Sequence, residues 1–181
     1  MNTQSPRTFV VTPPPAHAWW IMAALLLLPA VVVVVVWFNE GGKPPPEAAI
    51  GTLSALLVIA LAGIACAISL KRRRVRLDGQ VLEVVAGMFS NRTPVEHIDL
   101  GRARVVDLAE RTELRPAIKT LGMSLPGYHA GNFRLRAKLG KAFCLVTDTR
   151  RVLWLPLRDG KQQLLLSLEH PQALLDVLRG R

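Results

Sequence analysis

Two long apolar runs near the N-terminus, at residues 19–38 and 48–70, constrain this chain more than any other feature. Neither run contains Asp, Glu, Lys, Arg or His. A helix needs about 20 apolar residues to cross a hydrocarbon core roughly 30 Å thick, and both runs reach that length. Trp19, Trp20 and Trp37 lie at the ends of the first run, where amphipathic rings favour the lipid headgroup region. The sequence therefore predicts two transmembrane helices.

The first run lacks the features of a cleaved signal peptide. A signal peptide has a basic segment before a shorter apolar stretch and a small-residue cleavage site after it. Here Arg7 is the only basic residue before the run, and the run ends in Val-Trp-Phe-Asn. We therefore expect the run to remain in the protein as a membrane-spanning helix.

Basic residues beside the apolar runs predict the orientation. Five of them follow the second run and are called the juxtamembrane cluster: Lys71, Arg72, Arg73, Arg74 and Arg76. The linker at residues 39–47 has one, Lys43. Lys and Arg beside membrane helices stay on the cytoplasmic side. The sequence thus predicts a multi-pass inner-membrane protein with a cytoplasmic N-terminal segment (residues 1–18), an outer linker and a cytoplasmic domain (residues 71–181).

Small residues in the second run predict close helix packing. Gly51 and Ala55, and likewise Gly63 and Ala67, are four residues apart and allow another helix to approach. We expect packing against the first helix, with homodimerisation as the alternative. Pro29 in the first run is expected to be a tolerated kink.

Short β-rich segments separated by turn residues fill most of the remaining chain. They are residues 75–77, 80–85, 93–98, 102–108, 114–120, 132–139, 142–147, 151–157 and 162–167. Asp78-Gly79 and Asp159-Gly160 are hairpin signals, and the close spacing favours an antiparallel meander over βαβ units. Pro171 begins an amphipathic stretch that ends before Gly180, which predicts a C-terminal helix.

The segment 132–139 alternates most strictly between apolar and basic residues. One face has Phe133, Leu135, Ala137 and Leu139, and the opposite face has Arg134, Arg136 and Lys138. Such alternation is typical of a half-buried strand. The basic face is expected either to be solvated or to meet anionic lipid.

A motif before this strand resembles a known family. Ser124-x-Pro126-Gly127-Tyr128-x-x-Gly131-x-Phe133, with strand hairpins and a Pro-led helix after it, is similar to the bacterial pleckstrin-homology-like (PH-like) domains of small membrane proteins. The resemblance covers residues 75–178. It implies two near-orthogonal antiparallel sheets with a C-terminal capping helix, and an interaction module rather than an enzyme. The predicted fold is therefore a membrane-anchored mixed one, with a transmembrane hairpin and a mostly-β domain of about seven antiparallel strands.

The motif also has a purely structural interpretation. Pro126-Gly127 supplies a turn, because proline presets one φ angle and glycine admits positive φ. Tyr128 is expected to cover the edge of the core while its hydroxyl stays in water. Gly131 is expected to allow a close approach between backbones.

No pattern in the sequence predicts catalysis, a cofactor or a metal site. Gly122-Met-Ser124-Leu-Pro126 departs from a nucleophile elbow because proline replaces the final glycine. Four scattered histidines lack metal-ligand spacing: His17, His97, His129 and His170. Cys66 and Cys144 are expected to be apolar fillers rather than a disulfide. Phosphate-loop and dinucleotide motifs do not occur.

Two functional hypotheses remain. The first is a scaffolding or regulatory module that binds an unidentified protein. The alternative is weak binding of anionic lipid headgroups by the juxtamembrane cluster with Arg134, Arg136 and Lys138. Nucleic acid is not expected, because the positive-inside rule explains the densest part of the net charge of +10.

The resemblance argues against specific phosphoinositide recognition. Eukaryotic relatives of the fold bind phosphoinositides through several basic residues in the hairpin between the first strands. The stretch taken to correspond here, residues 87–92, offers only Arg92.

Overall fold

The computed structural model describes residues 6–39, 46–136 and 140–180, with the backbone alone at residues 46–49. Two helices, α1 (Ala16–Asn39) and α2 (Pro46–Lys71), are long and apolar enough to cross a membrane. They pack against each other, and a Cβ added at Gly63 of α2 would lie 3.1 Å from a methyl group of Leu26 in α1. The predicted small-residue contact is confirmed at Gly63, whereas Gly51 faces open space.

The described residues form two β-sheets and a third helix. The first sheet contains, in spatial order, β1 (Arg7–Phe9), β2 (Arg73–Asp78), β3 (Val81–Ala86) and β4 (Phe89–Pro94). The second sheet contains β5 (Arg104–Val106), β6 (Pro116–Leu125), β7 (Tyr128–Leu135), β8 (Lys141–Val146), β9 (Val152–Pro156) and β10 (Gln162–Ser167). Its spatial order is β5-β9-β10-β8-β7-β6. The last helix, α3 (Pro171–Arg179), begins with the predicted proline.

The segment before α1 is part of the domain after α2. β1 pairs antiparallel with β2, and Val11 bridges Leu168. The hydroxyl of Thr147 donates a 2.7 Å hydrogen bond to the carbonyl oxygen of Thr12. These contacts place the residues before α1 and after α2 at the same end of the two helices, called here the helix end of the domain. The opposite end is called the far end.

The strand pairings of the second sheet differ from a simple antiparallel meander, because β5 pairs with β9 rather than with β6 and β8 does not pair with β9. β8 and β10 are parallel, with Cys144 opposite Leu165, and β10 lies between β8 and β9. The hairpin expected between residues 142–147 and 151–157 therefore does not form. These strands are apolar on both faces, so either neighbour would bury them equally well, and local pattern does not distinguish the two arrangements.

The strand expected at residues 93–98 lies earlier in the chain, at β4. β4 precedes it and ends at Pro94, which lacks the N–H that would continue a ladder, and a 3-10 turn follows at Val95–His97. β4 is largely polar (Phe-Ser-Asn-Arg-Thr-Pro) and therefore resembles a loop in the sequence. With β1 and β4, the number of strands exceeds the expected seven or so.

Both faces of the second sheet are buried. One face shares a core with the first sheet, α3 and the ends of α1 and α2, in which Leu77, Leu145, Leu174, Ala18 and Leu70 take part. The other face packs under the segment that joins β5 to β6 and includes Cys144, Trp154, Leu165, Leu108 and Leu114. Both cysteines are free thiols, and burial raises the pKa of Cys144. The expected arrangement of an apolar helix pair, a two-sheet domain and a C-terminal helix is confirmed.

Candidate functional site

The turn between β6 and β7 contains the sequence motif and lies against the start of α1. His17 Nε2 donates a 3.0 Å hydrogen bond to the carbonyl oxygen of Pro126. Gly127 has φ 75°, and a Cβ there would lie 3.0 Å from Pro15 and 3.1 Å from His17 Nε2. Glycine is therefore required both by the backbone angle and by the contact with the segment that enters α1.

Tyr128, the next residue, contacts α2. Its ring is fully buried, and its hydroxyl donates a 3.4 Å hydrogen bond to the carbonyl oxygen of Ser69. Burial raises the pKa of Tyr128 to about 12, and the positive charge of Arg73 opposes this rise. The expectation that the hydroxyl stays in water is wrong, because the last turn of α2, with Ser69 and Leu70, is itself buried and covers the ring.

Two glycines bring β6 and β7 unusually close together. Gly122 and Gly131 are direct partners across the two strands. Gly131 has φ 112°, and a Cβ there would lie 2.5 Å from the carbonyl oxygen of Leu121. The predicted close approach at Gly131 is confirmed.

On the same strand, His129 Nδ1 lies 2.9 Å from Ser124 Oγ, and the imidazole meets the edge of the Phe133 ring with centroids 5.6 Å apart. Burial lowers the pKa of His129, which favours the neutral imidazole. Among the residues that the structure describes, no carboxylate forms a hydrogen bond with His129, so the Ser124–His129 pair lacks the third group of a catalytic triad.

The juxtamembrane cluster does not form one uniform surface. Lys71, Arg72 and Arg74 are exposed at the helix end. Arg73 is partly buried, and its Nη1 donates a 3.2 Å hydrogen bond to the carbonyl oxygen of Thr12. Burial lowers the pKa of Arg73. Arg73 of β2 therefore binds the segment before α1. The three exposed residues of the cluster, Lys71, Arg72 and Arg74, are accessible to ligands.

The fifth residue of the cluster lies further along β2. Arg76 Nη2 is 3.8 Å from the carboxylate of Asp78, and its side chain is about one-third exposed, at 35%. Its position opposite Glu83 of β3 gives it a second acidic neighbour. Arg76 is thus partly neutralised by its own sheet.

The predicted alternation in β7 is confirmed where the structure describes it. Phe133 and Leu135 are buried, whereas Arg134 is exposed. The strand ends at Leu135 rather than at residue 139, because the Leu135 N–H bonds to the Gly140 carbonyl and closes a loop. Arg136 lies in that turn, and Ala137, Lys138 and Leu139 lie outside the described residues.

Arg134 lies far from the juxtamembrane cluster, near the other end of β7. The strand begins at Tyr128, against Ser69 of α2, and Arg134 is six residues further along. At about 3.4 Å per residue, this separation is roughly 20 Å. The structure therefore does not bring Arg134 and Arg136 together with Lys71, Arg72 and Arg74.

The hairpin predicted at Asp78-Gly79 is confirmed, but residues 87–92 are not the loop between the domain's first two strands. β2 and β3 are joined by Gly79 and Gln80 at the far end, with Asp78 opposite Val81. Residues 87–92 belong to the following turn and to β4, and Arg92 is paired with Glu83 at 2.8 Å. The loop between the first strands has no basic residue, and Arg92 already has a carboxylate partner.

A surface that the sequence did not reveal is the outer edge of the second sheet. Within the described residues, β6 pairs with β7 alone, and residues 117–121 are exposed throughout. Ile118 is 52% exposed and Leu121 is 57% exposed. The only signal in the sequence was a weakly β-rich segment at residues 114–120, and strand order cannot be deduced from such a segment.

Comparison with known proteins agrees with this architecture. The family model described as "Bacterial PH domain" matches residues 73–181, more than half of the chain. The chain belongs to the bacterial PH domain family. No curated protein and no solved structure matches it. The match begins with β2, so β1, α1 and α2 lie outside the matched PH domain although β1 completes its first sheet. PH domains mediate contacts with proteins or lipids and are typically non-catalytic.

Proposed function

We propose that this protein anchors its PH domain to the cytoplasmic face of the bacterial inner membrane, where the domain binds another protein. Two apolar helices of sufficient length support the anchor. The exposed Lys71, Arg72 and Arg74 at the helix end support the cytoplasmic orientation, because basic residues flank membrane helices on that side. The pairing of β1 with β2 supports a location of the segment before α1 on the same side of the membrane as the domain.

The proposal of a protein partner rests on the exposed edge of β6. An open strand edge offers unpaired N–H and C=O groups, and an extended segment of a partner can bind by adding a strand. Ile118 and Leu121 supply apolar contact beside that backbone. The register shifts between Pro116 and Ile118 and between Lys119 and Leu121 interrupt the ladder, which limits indiscriminate pairing between copies. We expect the partner to contribute an extended, apolar segment.

Site-specific photocrosslinking in native membranes tests this. A photoreactive residue at position 118 or 121 should give one adduct of defined mass, whereas the same residue at Val81, which is 36% exposed in the first sheet, should not. Replacing both apolar residues (Ile118→Lys with Leu121→Lys) should abolish capture by a probe at Thr120. Equal adducts at Val81, or capture that survives the double substitution, would show that the β6 edge is not the interface.

The helix end supports a second candidate function, which is weak binding of anionic lipid headgroups. The Gly87 N–H donates a 2.7 Å hydrogen bond to the Arg72 carbonyl, and this holds the β3–β4 turn beside α2. Met88 in that turn is 65% exposed, next to the exposed cations Arg72 and Arg74. Each basic residue near an anionic surface contributes about 1 kcal/mol. Arg134 and Arg136, roughly 20 Å further along β7, are not included.

Lipid retention tests the second candidate. Native mass spectrometry of the full-length protein should show retained phosphatidylglycerol that decreases when Lys71, Arg72 and Arg74 are changed to Gln. Substitution of Arg134 and Arg136 by Gln is the control and should leave retention unchanged. Loss of lipid in the control variant alone would reject the helix end as the contact.

A further inference from the structure

A cleft of about 340 Å³ opens between the two sheets at the far end of the domain. Strand register defines its floor and rim. Arg134, Lys141 and Gln162 are successive partners on β7, β8 and β10, and form a row across the rim. The next row toward the helix end is Asn132, Phe143 and Leu164.

On β8 and β10 the two rows differ sharply in burial, whereas Asn132 on β7 is exposed like Arg134. Phe143 is 4% exposed and Leu164 is 2% exposed, so they form an apolar floor. The rim residues Arg134, Lys141 and Gln162 are exposed. A polar rim above an apolar floor is the usual construction of a small-molecule site, and the volume lies at the low end of the roughly 300–1,000 Å³ of such sites.

The positive charge at the rim of the cleft favours a negatively charged ligand. Arg134 and Lys141 face each other directly across β7 and β8. Two neighbouring cationic side chains on one rim favour an anionic ligand, because hydrogen bonds between ionised groups are stronger than neutral ones. Among the described residues that line the cleft there is no Asp or Glu. Uncharged polar residues also line the cleft: Asn91, Thr93, Thr120, Asn132 and Gln163.

We propose that this cleft binds a small soluble organic anion, with its carboxylate or phosphate between Arg134 and Lys141 and its apolar part on Phe143 and Leu164. The volume suits a single ring or a short chain rather than a two-chain lipid. The rim lies roughly 20 Å along β7 from the helix end, so the site opens away from the lipid surface and takes its ligand from solution. Thr120 and Leu121 of β6 line the cleft and also belong to the edge proposed to bind a protein, whereas Arg134, Lys141, Phe143 and Leu164 line the cleft and are not part of that edge.

Fluorine NMR of the full-length protein in nanodiscs tests the proposal, with 4-(trifluoromethyl)benzoate as the probe and 4-(trifluoromethyl)benzyl alcohol as its neutral analogue. Empty nanodiscs supply the baseline. We expect saturable binding of the benzoate, at least about tenfold tighter than the alcohol, because a hydrogen bond to a charged group exceeds the free energy of one tenfold step. Equal binding of the two probes, or no saturable benzoate binding at millimolar concentration, would overturn the proposal.

Matched variants locate the site. Lys141→Gln should weaken benzoate binding about tenfold, because it removes one of the two cations at the rim. Asn132→Phe should block the cleft. Lys119→Gln removes the same charge from β6, outside the cleft lining, and should leave benzoate binding unchanged. If Lys119→Gln weakened benzoate binding as much as Lys141→Gln, the effect would come from general surface charge and the proposed site would be rejected.

Discussion

The hydroxyl of Tyr128 donates its hydrogen bond to the carbonyl oxygen of Ser69, 59 residues earlier in the chain. This carbonyl belongs to the last turn of α2, where backbone acceptors have no partner within the helix. The β6–β7 turn thus contacts α2 through Tyr128 and α1 through the bond between Pro126 and His17. The family motif therefore joins the domain to both helices.

Tyr128→Phe should remove the Ser69 bond while keeping the ring. We expect a loss of about 0.5–1.5 kcal/mol in the free energy of unfolding at pH 8, measured by denaturation of the full-length protein in detergent. Tyr128→Ala should cost about 3–5 kcal/mol, because it also empties a buried site. Equal losses in the two variants would show that the ring contributes nothing beyond the hydroxyl.

The same variant tests the raised pKa of Tyr128, which is about 12 in the folded state against an ordinary value of 10.0. A raised pKa stabilises the folded state fully below the unfolded pKa, and this stabilisation is lost as pH rises through the folded pKa. Between pH 10 and pH 12, the wild type should therefore lose more stability than Tyr128→Phe, since other groups titrate alike in both. Parallel pH profiles of the two proteins would contradict burial of the hydroxyl.

Gly131→Ala should be far more damaging than Gly160→Ala. Both glycines have positive φ, 112° and 67°, but a Cβ at Gly160 meets open space. We expect about 1–2 kcal/mol for Gly160→Ala from the backbone angle alone. Gly131→Ala should cost about 1–3 kcal/mol more, because it also overpacks the contact with Leu121. Thermal melts of both variants measure the difference, and equal melting temperatures would show that the strands can separate freely.

Phe133→Ala should destabilise the protein by about 3–5 kcal/mol, because the ring is buried under the segment that joins β5 to β6. Ile118→Ala on the neighbouring strand removes an exposed side chain and should stay within about 0.5 kcal/mol. Denaturant titrations compare the two. A large loss at Ile118 would mean that the β6 edge is already covered within the protein.

Cysteine labelling tests the topology in a background without Cys66 and Cys144. A reagent that cannot cross the membrane should label a cysteine introduced at residue 42, in the linker, and should not label one at Val10 or Gly180 in intact cells. Val10 is 61% exposed and lies beside β1, so it reports the side on which the N-terminal segment lies. If the cysteines at positions 10 and 180 were labelled and the one at residue 42 were not, the protein would have the opposite orientation.

The sequence by itself determined the features that depend on local pattern. The length of an apolar run predicted α1 and α2, strict alternation predicted that Phe133 and Leu135 are buried, and a proline followed by an amphipathic stretch predicted α3. In each case the signal lies within one element, because burial of one face imposes a fixed period on the residues that form it. The juxtamembrane cluster was likewise visible as a local run.

Tertiary structure decided which distant segments meet. β1 pairs with β2 across 68 positions in the pair Thr8 and Arg76, and β10 inserts between β8 and β9. No periodicity encodes these pairings, because an apolar strand buried on both faces fits several neighbours and the choice depends on packing of the whole core. For the same reason the burial of Tyr128 under α2, and the meeting of Arg134 with Lys141 at the rim of a cleft, arise only when the chain is folded.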